Sequence, residues 1–191
     1  MIIDCFSYKI YKSNLNFNYK NELVDIVSNI SKEKLNQGNL DITNSSLFYY
    51  LTRNNDKYIK NNINIVDNLH SLIEDESNVF SNLFKLNKIF EIEEMWVTSY
   101  KNEEKCKPHH HCPESYDYTG IYYLNFDSDE HQSTTFYNNS SLTESVNPEC
   151  EEDNLFIFPT YAMHGYSGVV SSKNRILIPF ILKPKAYNKY Y

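Results

Sequence analysis

The chain has only 4 glycines among 191 residues. It is therefore short of the residue that most readily takes positive φ in turns. Asn, whose short side chain tolerates the left-handed region, is expected to fill some of those places. No CxxC pair occurs among the four cysteines Cys5, Cys106, Cys112 and Cys150. That argues against a zinc knuckle and makes free thiols in a cytoplasmic setting the default. The first residues lack the basic start and apolar core of a signal peptide. No apolar run approaches the ~20 residues that a membrane-spanning helix needs. Positive charge is also scarce, since 18 Lys and Arg face 25 Asp and Glu for a formal charge of −7. Without a basic stripe the chain has no nucleic-acid-binding signature, although charge says nothing against a nucleotide as substrate.

What is present is apolar and aromatic. Hydrophobic residues make up 41% of the chain and aromatics 15%, led by 17 Tyr, which argues against extended disorder. The length suits one domain, residues 1–191, with a core of real size. The spacing divides it into an N-terminal strand with supporting helices (1–87) and a β-rich core (88–185). Residues 2–11 show partial alternation and predict a strand. Leu23, Ile26, Val27 and Ile30 recur at helical spacing over 19–30. Residues 31–62 are polar and Asn-rich, and read as a loop with a short helix or turn around Leu47–Leu51. Ile65, Leu69, Leu72, Ile73, Val79, Leu83 and Phe84 predict one or two helices over 63–87, with a break near Glu76 and Ser77, covering one face of a sheet. Strands are expected at 88–100, 118–126, 133–138, 143–146, 154–159 and 174–183. Many strands with short links and no interleaved helices predict an antiparallel sandwich or barrel. His70 reads as a structural or surface residue, and His131, which follows an acidic turn, as a surface one.

Three consecutive histidines, His109, His110 and His111, sit between two of these strands. In an extended segment side chains two apart point the same way, so His109 and His111 converge while His110 points away. Imidazole is a common ligand of Fe, Zn, Cu and Ni. His164, 53 positions after His111 on a different β-segment, is the candidate third ligand. Two ligands from one strand end and one from a distant strand give a facial set with open positions, which suits non-haem Fe(II) and oxygen chemistry. A solvated loop or an interface is the plainer reading of such a run. Arg175 opens the apolar run NRILIPFIL, eleven residues after His164. A guanidinium there is costly unless paired, and a ligand carboxylate would pair it through a bidentate fork.

These pieces carry a resemblance. Trp96, PHHHCP, TGIYYLN, then LFIFP, His164 and Arg175, in that order over 95–182, resemble the double-stranded β-helix core of the 2-oxoglutarate/Fe(II)-dependent dioxygenases, in particular a small subgroup with an HxH-type motif. The resemblance implies an α+β protein with a mostly β core: a double-stranded β-helix (jelly-roll, cupin-like) with N-terminal helices packed on one sheet. It implies a hydroxylase using Fe(II), 2-oxoglutarate and O2. By position, His109, His111 and His164 would be the metal ligands and Arg175 would grip the distal carboxylate of 2-oxoglutarate, with Tyr123 or Tyr100 nearby and Asn125 a weaker pocket candidate. Two departures stand out. The superfamily's usual second ligand is a carboxylate two residues after the first His, where this chain has His111; a later carboxylate, Glu114 or Asp117, is the alternative, and so is a register beginning at His110 or His111. Many members also have Ser two residues after the arginine, where this chain has Leu177.

Two other functions compete: a cupin-like three-histidine metal enzyme that does not use 2-oxoglutarate, and a non-catalytic β-sandwich binding module whose histidines do not converge. The substrate, a small molecule or a protein, is not written in the sequence. A homodimer is allowed.

Overall fold

In the computed structural model, which describes residues 1–29, 47–51, 62–111 and 118–185, the chain runs β1 (Ile2–Cys5), β2 (Tyr8–Asn14), α1 (Lys20–Asn29), β3 (Leu47–Tyr50), α2 (Ile63–Leu83), β4 (Phe90–Tyr100), β5 (Cys106–His109), β6 (Tyr118–Asn125), β7 (Thr135–Asn138), β8 (Ser141–Val146), β9 (Asn154–Pro159), β10 (His164–Tyr166) and β11 (Arg175–Pro184). These strands make a seven-stranded sheet, β1-β2-β9-β6-β11-β4-β3, and a four-stranded sheet, β5-β10-β7-β8. Every pairing is antiparallel. The large sheet takes strands from both sides of residue 88, and its two edges, β1 and β3, come from the N-terminal part.

Alternation along the central strands sets the layers. On β11, Ile176, Ile178, Phe180 and Leu182 point to one side; Val97, Tyr122, Leu124, Leu155 and Ile157 join them from β4, β6 and β9. There they meet Leu23 and Val27 of α1 and Val66, Leu69, Ile73 and Phe80 of α2. Each such side chain contributes roughly 1.5–3 kcal/mol when fully buried. The other face of the same strands carries Tyr100, Ile121, Tyr123, Phe156, Phe158 and Leu177, which pack against Phe136 and Tyr166 of the small sheet. The site lies between the two sheets, on this second face.

The structure departs from expectation in several places. Residues 2–11 are a hairpin rather than one strand, turned at Phe6 with φ 51°. The segment Leu47–Tyr50 is a strand on the edge of β4 rather than a helix or turn; the rest of the Asn-rich stretch lies outside the described residues. Helix α2 runs unbroken through Glu76 and Ser77. Ser77 returns its hydroxyl to the carbonyl of Ile73 at 2.7 Å, and Glu76 accepts from Tyr11, so neither polar group interrupts the helix. The buried stripe passes through Phe80, leaving Val79 and Leu83 exposed. Positive φ falls on Lys85, Glu103 and Asp153 as well as Asn87, so Asn fills only one such position among the described residues. His131 is buried, not superficial: its ring packs on Phe126, Nδ1 accepts from the Asp127 N–H at 3.0 Å, and Nε2–H donates to the Lys173 carbonyl at 3.2 Å. No helix among the described residues is long and apolar enough to cross a membrane.

Candidate metal centre

Strand β10 is only three residues long and had no alternation to reveal it. It pairs with β5 so that His164 and His109 are direct partners, and their ring centroids are 4.4 Å apart. Gly165 lets the strands approach: a Cβ there would lie 2.9 Å from the carbonyl oxygen of Cys106 and 3.1 Å from the nitrogen of Pro108. His111 follows β5 and is tied by its N–H to the Thr160 carbonyl at 3.0 Å. Its ring lies 5.3 Å from each of the other two. One nitrogen from each of His109, His111 and His164 lies within 4.8 Å of the others. His110 is exposed, with Nδ1–H donating to the His111 carbonyl at 3.1 Å. Cys112, Glu114 and Asp117 lie outside the described residues.

Two of the rings are held in the tautomer a metal needs. His109 Nδ1 sits 2.9 Å from the Lys107 carbonyl, and His164 Nδ1 sits 2.9 Å from the Ala162 carbonyl. A carbonyl only accepts, so Nδ1 carries the proton and the Nε2 lone pair stays available. Burial, reinforced by the neighbouring imidazoles, pushes His111 down to about 4 and holds His164 well below the usual histidine value. Burial lowers His109 as well. All three imidazoles are therefore neutral at neutral pH, the form in which a histidine can bind a metal.

The histidines line one side of a cavity of about 240 Å³. Arg175 lines the same cavity and is 1% exposed. Among the described residues no carboxylate pairs with it. Its Cζ lies 4.0 Å from the Tyr166 ring centroid and 5.5 Å from that of Tyr100, and Nη2 reaches Thr134 Oγ1 at 3.4 Å. Nε and Nη1 have no hydrogen-bond partner among the described residues. A buried cation with open donors is strongly unfavourable unless an anion completes it.

Of the other anticipated residues, Tyr100 lines the cavity and Tyr123 does not. The Tyr123 hydroxyl donates to Thr134 Oγ1 at 2.8 Å and accepts from the Thr134 N–H at 3.0 Å. Its ring stands 5.7 Å from the Arg175 Cζ, so it braces Arg175 through Thr134. Asn125 is also off the cavity, its amide donating to the Asn174 carbonyl at 2.8 Å beside the start of β11. Three cavity threonines were missed: Thr98, Thr119 and Thr134. Thr98 alternates with Trp96 and Tyr100 on β4, which is the one sign of it in the sequence.

No protein-family model and no curated protein matches the chain. Solved structures do. The viral collagen prolyl hydroxylase of Paramecium bursaria Chlorella virus-1, in its 2-oxoglutarate complex, is 14% identical with a TM-score of 0.61, covering 91% of this chain and 95% of that one. A Pseudomonas putida prolyl-4-hydroxylase is 12% identical with a TM-score of 0.61, covering 94% and 95%. A Burkholderia pseudomallei oxidoreductase of the 2OG-Fe(II) oxygenase family is 7% identical with a TM-score of 0.57, covering 86% and 77%. At these identities the likeness is one of architecture: the chain shares the mostly β fold of these solved oxygenase structures.

Proposed function

We propose that the protein is a 2-oxoglutarate- and Fe(II)-dependent oxygenase, a hydroxylase built on a double-stranded β-helix. One observation carries the reading: a buried arginine with unpaired donors shares a cavity with three neutral, converging imidazoles. The donor set fits Fe(II), since three protein nitrogens leave coordination positions for co-substrate and oxygen. His109, His111 and His164 would hold the metal, and Arg175 the distal carboxylate of 2-oxoglutarate. When bound, iron, 2-oxoglutarate and O2 supply the oxidising power that hydroxylates a C–H bond while the co-substrate is converted to succinate and CO2.

The chain's own residues do the rest. The carbonyls of Lys107 and Ala162 fix the ring tautomers of His109 and His164. Tyr123 and Thr134 brace the guanidinium against the Tyr166 ring. Thr98, with an unpaired hydroxyl, lies across from Leu177 and supplies a co-substrate contact that Leu177 lacks. Ile121, Leu177 and Pro179 give the cavity apolar walls that exclude water.

The all-histidine set also favours a cupin-like enzyme that uses no 2-oxoglutarate. The unpaired Arg175 weighs against it, and the convergence of the histidines weighs against the binding-module reading. The test is anaerobic titration of Fe(II) into the metal-free chain, with and without 2-oxoglutarate, followed by visible absorption. A weak charge-transfer band that needs both components is expected. Iron binding with no response to 2-oxoglutarate would shift the assignment to the cupin-like enzyme, and failure to bind metal would overturn both.

A further inference from the structure

The cavity has two polar ends, and the proposed co-substrate uses one. Arg175 stands across from Tyr100 of β4. Further back on the same face of β4 comes Trp96, whose ring is 5.9 Å from that of His111. Beyond it, Glu94 of β4, Ile181 of β11 and Thr119 of β6 form one row of strand partners, and all three line the cavity. At roughly 3.3–3.4 Å per residue, Glu94 lies about 7 Å past Trp96 and about 20 Å from the Tyr100 row. Trp96, with His111 beside it, stands between the Arg175 row and Glu94 along β4.

Two groups at this far end lack partners. Thr119 is fully buried and its hydroxyl makes no hydrogen bond among the described residues; such a group is destabilising until something completes it. Glu94 is exposed at the mouth and has no ion pair or hydrogen bond among the described residues. Ile181 lies between them in the sheet, and Trp96 and Pro179 line the adjoining part of the cavity. A carboxylate beside an indole face and an apolar wall matches a cation on an aliphatic stem: the charge bonds Glu94 and rests on Trp96 while the stem packs on Ile181. The chain's formal charge of −7 attracts the same class of ligand.

We propose that the mouth formed by Glu94, Trp96, Thr119 and Ile181 is the substrate site, and that the substrate enters with a primary ammonium or a guanidinium. This rests on the oxygenase reading, which gives Arg175 to the co-substrate and leaves this end to the substrate. A basic side chain of a polypeptide and a free basic amino acid share the chemistry.

Trp96 is the chain's single tryptophan, so its fluorescence reports the mouth. The full chain, loaded anaerobically with Fe(II) and 2-oxoglutarate, is titrated with Nα-acetyl-lysine amide, Nα-acetyl-arginine amide, free L-lysine, free L-arginine, uncharged Nα-acetyl-norleucine amide and acidic Nα-acetyl-glutamate amide. Saturable binding of the basic probes is expected, with the neutral and acidic ones at least about tenfold weaker. Tighter binding of the acetylated amides points to a polypeptide side chain, and of the free forms to an amino acid. Glu94→Gln should weaken the basic probes about tenfold and flatten their salt dependence, and Glu94→Lys should reverse the order in favour of the acidic probe. Equal binding of basic and neutral probes, or an unchanged Glu94→Gln variant, overturns the inference. The 2-oxoglutarate absorption band is read on the same samples. An intact band without a preference for cations overturns this inference alone; a missing band with the preference intact overturns the oxygenase reading and leaves the cation site standing.

Discussion

Thr98 stands directly opposite Leu177 across the β4–β11 ladder, two residues along from the pairing of Tyr100 with Arg175 and on the same face. Its hydroxyl is buried without a partner, diagonal to a guanidinium that also has open donors. A hydrogen bond to a charged group contributes about 1.5–3 kcal/mol. Thr98→Val, which keeps the shape, is therefore expected to weaken 2-oxoglutarate binding roughly 10- to 100-fold. Adding Leu177→Ser to that variant should recover part of the loss. Titration of the iron-loaded protein, read by Trp96 fluorescence, checks both; an unchanged Thr98→Val affinity would remove Thr98 from the site.

Arg175 should oppose stability in the ligand-free protein. Replacing a buried, uncompensated charge by an apolar side chain of similar volume is often stabilising, by about 1–4 kcal/mol. Arg175→Met is expected to raise the melting temperature of the metal-free chain and to abolish 2-oxoglutarate binding. Arg175→Lys should also bind poorly, because an ammonium lacks the planar fork. Thermal unfolding and the titration above, run on the same preparations, separate the two effects.

Acid should destabilise the metal-free protein through the three histidines. Burial takes His111 from 6.5 to about 4 and lowers His109 and His164 in the same direction. Between those pH values the unfolded chain binds protons that the folded chain refuses, so stability falls as pH drops. The contribution is fully present above about pH 6.5 and is lost on the way down to about pH 4. Melting temperatures from pH 7.5 to 4.5 should therefore slope downward, and His111→Gln should flatten part of the slope. Parallel curves would argue that His111 is not buried neutral.

Gly165 should govern the metal site although it bears no ligand. An added Cβ would press on the backbone of Cys106 and Pro108 and push β5, with His109, away from His164. Gly165→Ala is expected to weaken metal affinity by roughly tenfold or more, the scale on which supports of metal ligands act. Competition with a chromophoric chelator measures it, and an unchanged affinity would show that the strands adjust freely.

Much of the β core was written locally. Apolar, β-branched and aromatic runs marked β4, β6, β9 and β11, because one face of each is packed by helices and the other by the second sheet. Tyr122 and Tyr123 take opposite faces of β6, because successive side chains alternate along a strand. The HxH pair, His164 and Arg175 stood out because imidazoles in a row and an arginine opening an apolar strand are costly without a purpose.

The tertiary structure decided what depends on partners distant in the chain. β10 exists through its ladders with β5 and β7, and that pairing brings His164 to His109. β3 is a strand because β4 offers it an edge. His131 is buried because backbone groups of Asp127 and Lys173 use both its nitrogens. Tyr123 serves Thr134, and Thr98, Thr119 and Glu94 gain meaning only as neighbours on one cavity face. The sequence by itself determined which residues could form strands and which could bind a metal or an anion, since alternation and side-chain chemistry are local. Which of them meet was decided by strand order and register, which link residues far apart in the chain.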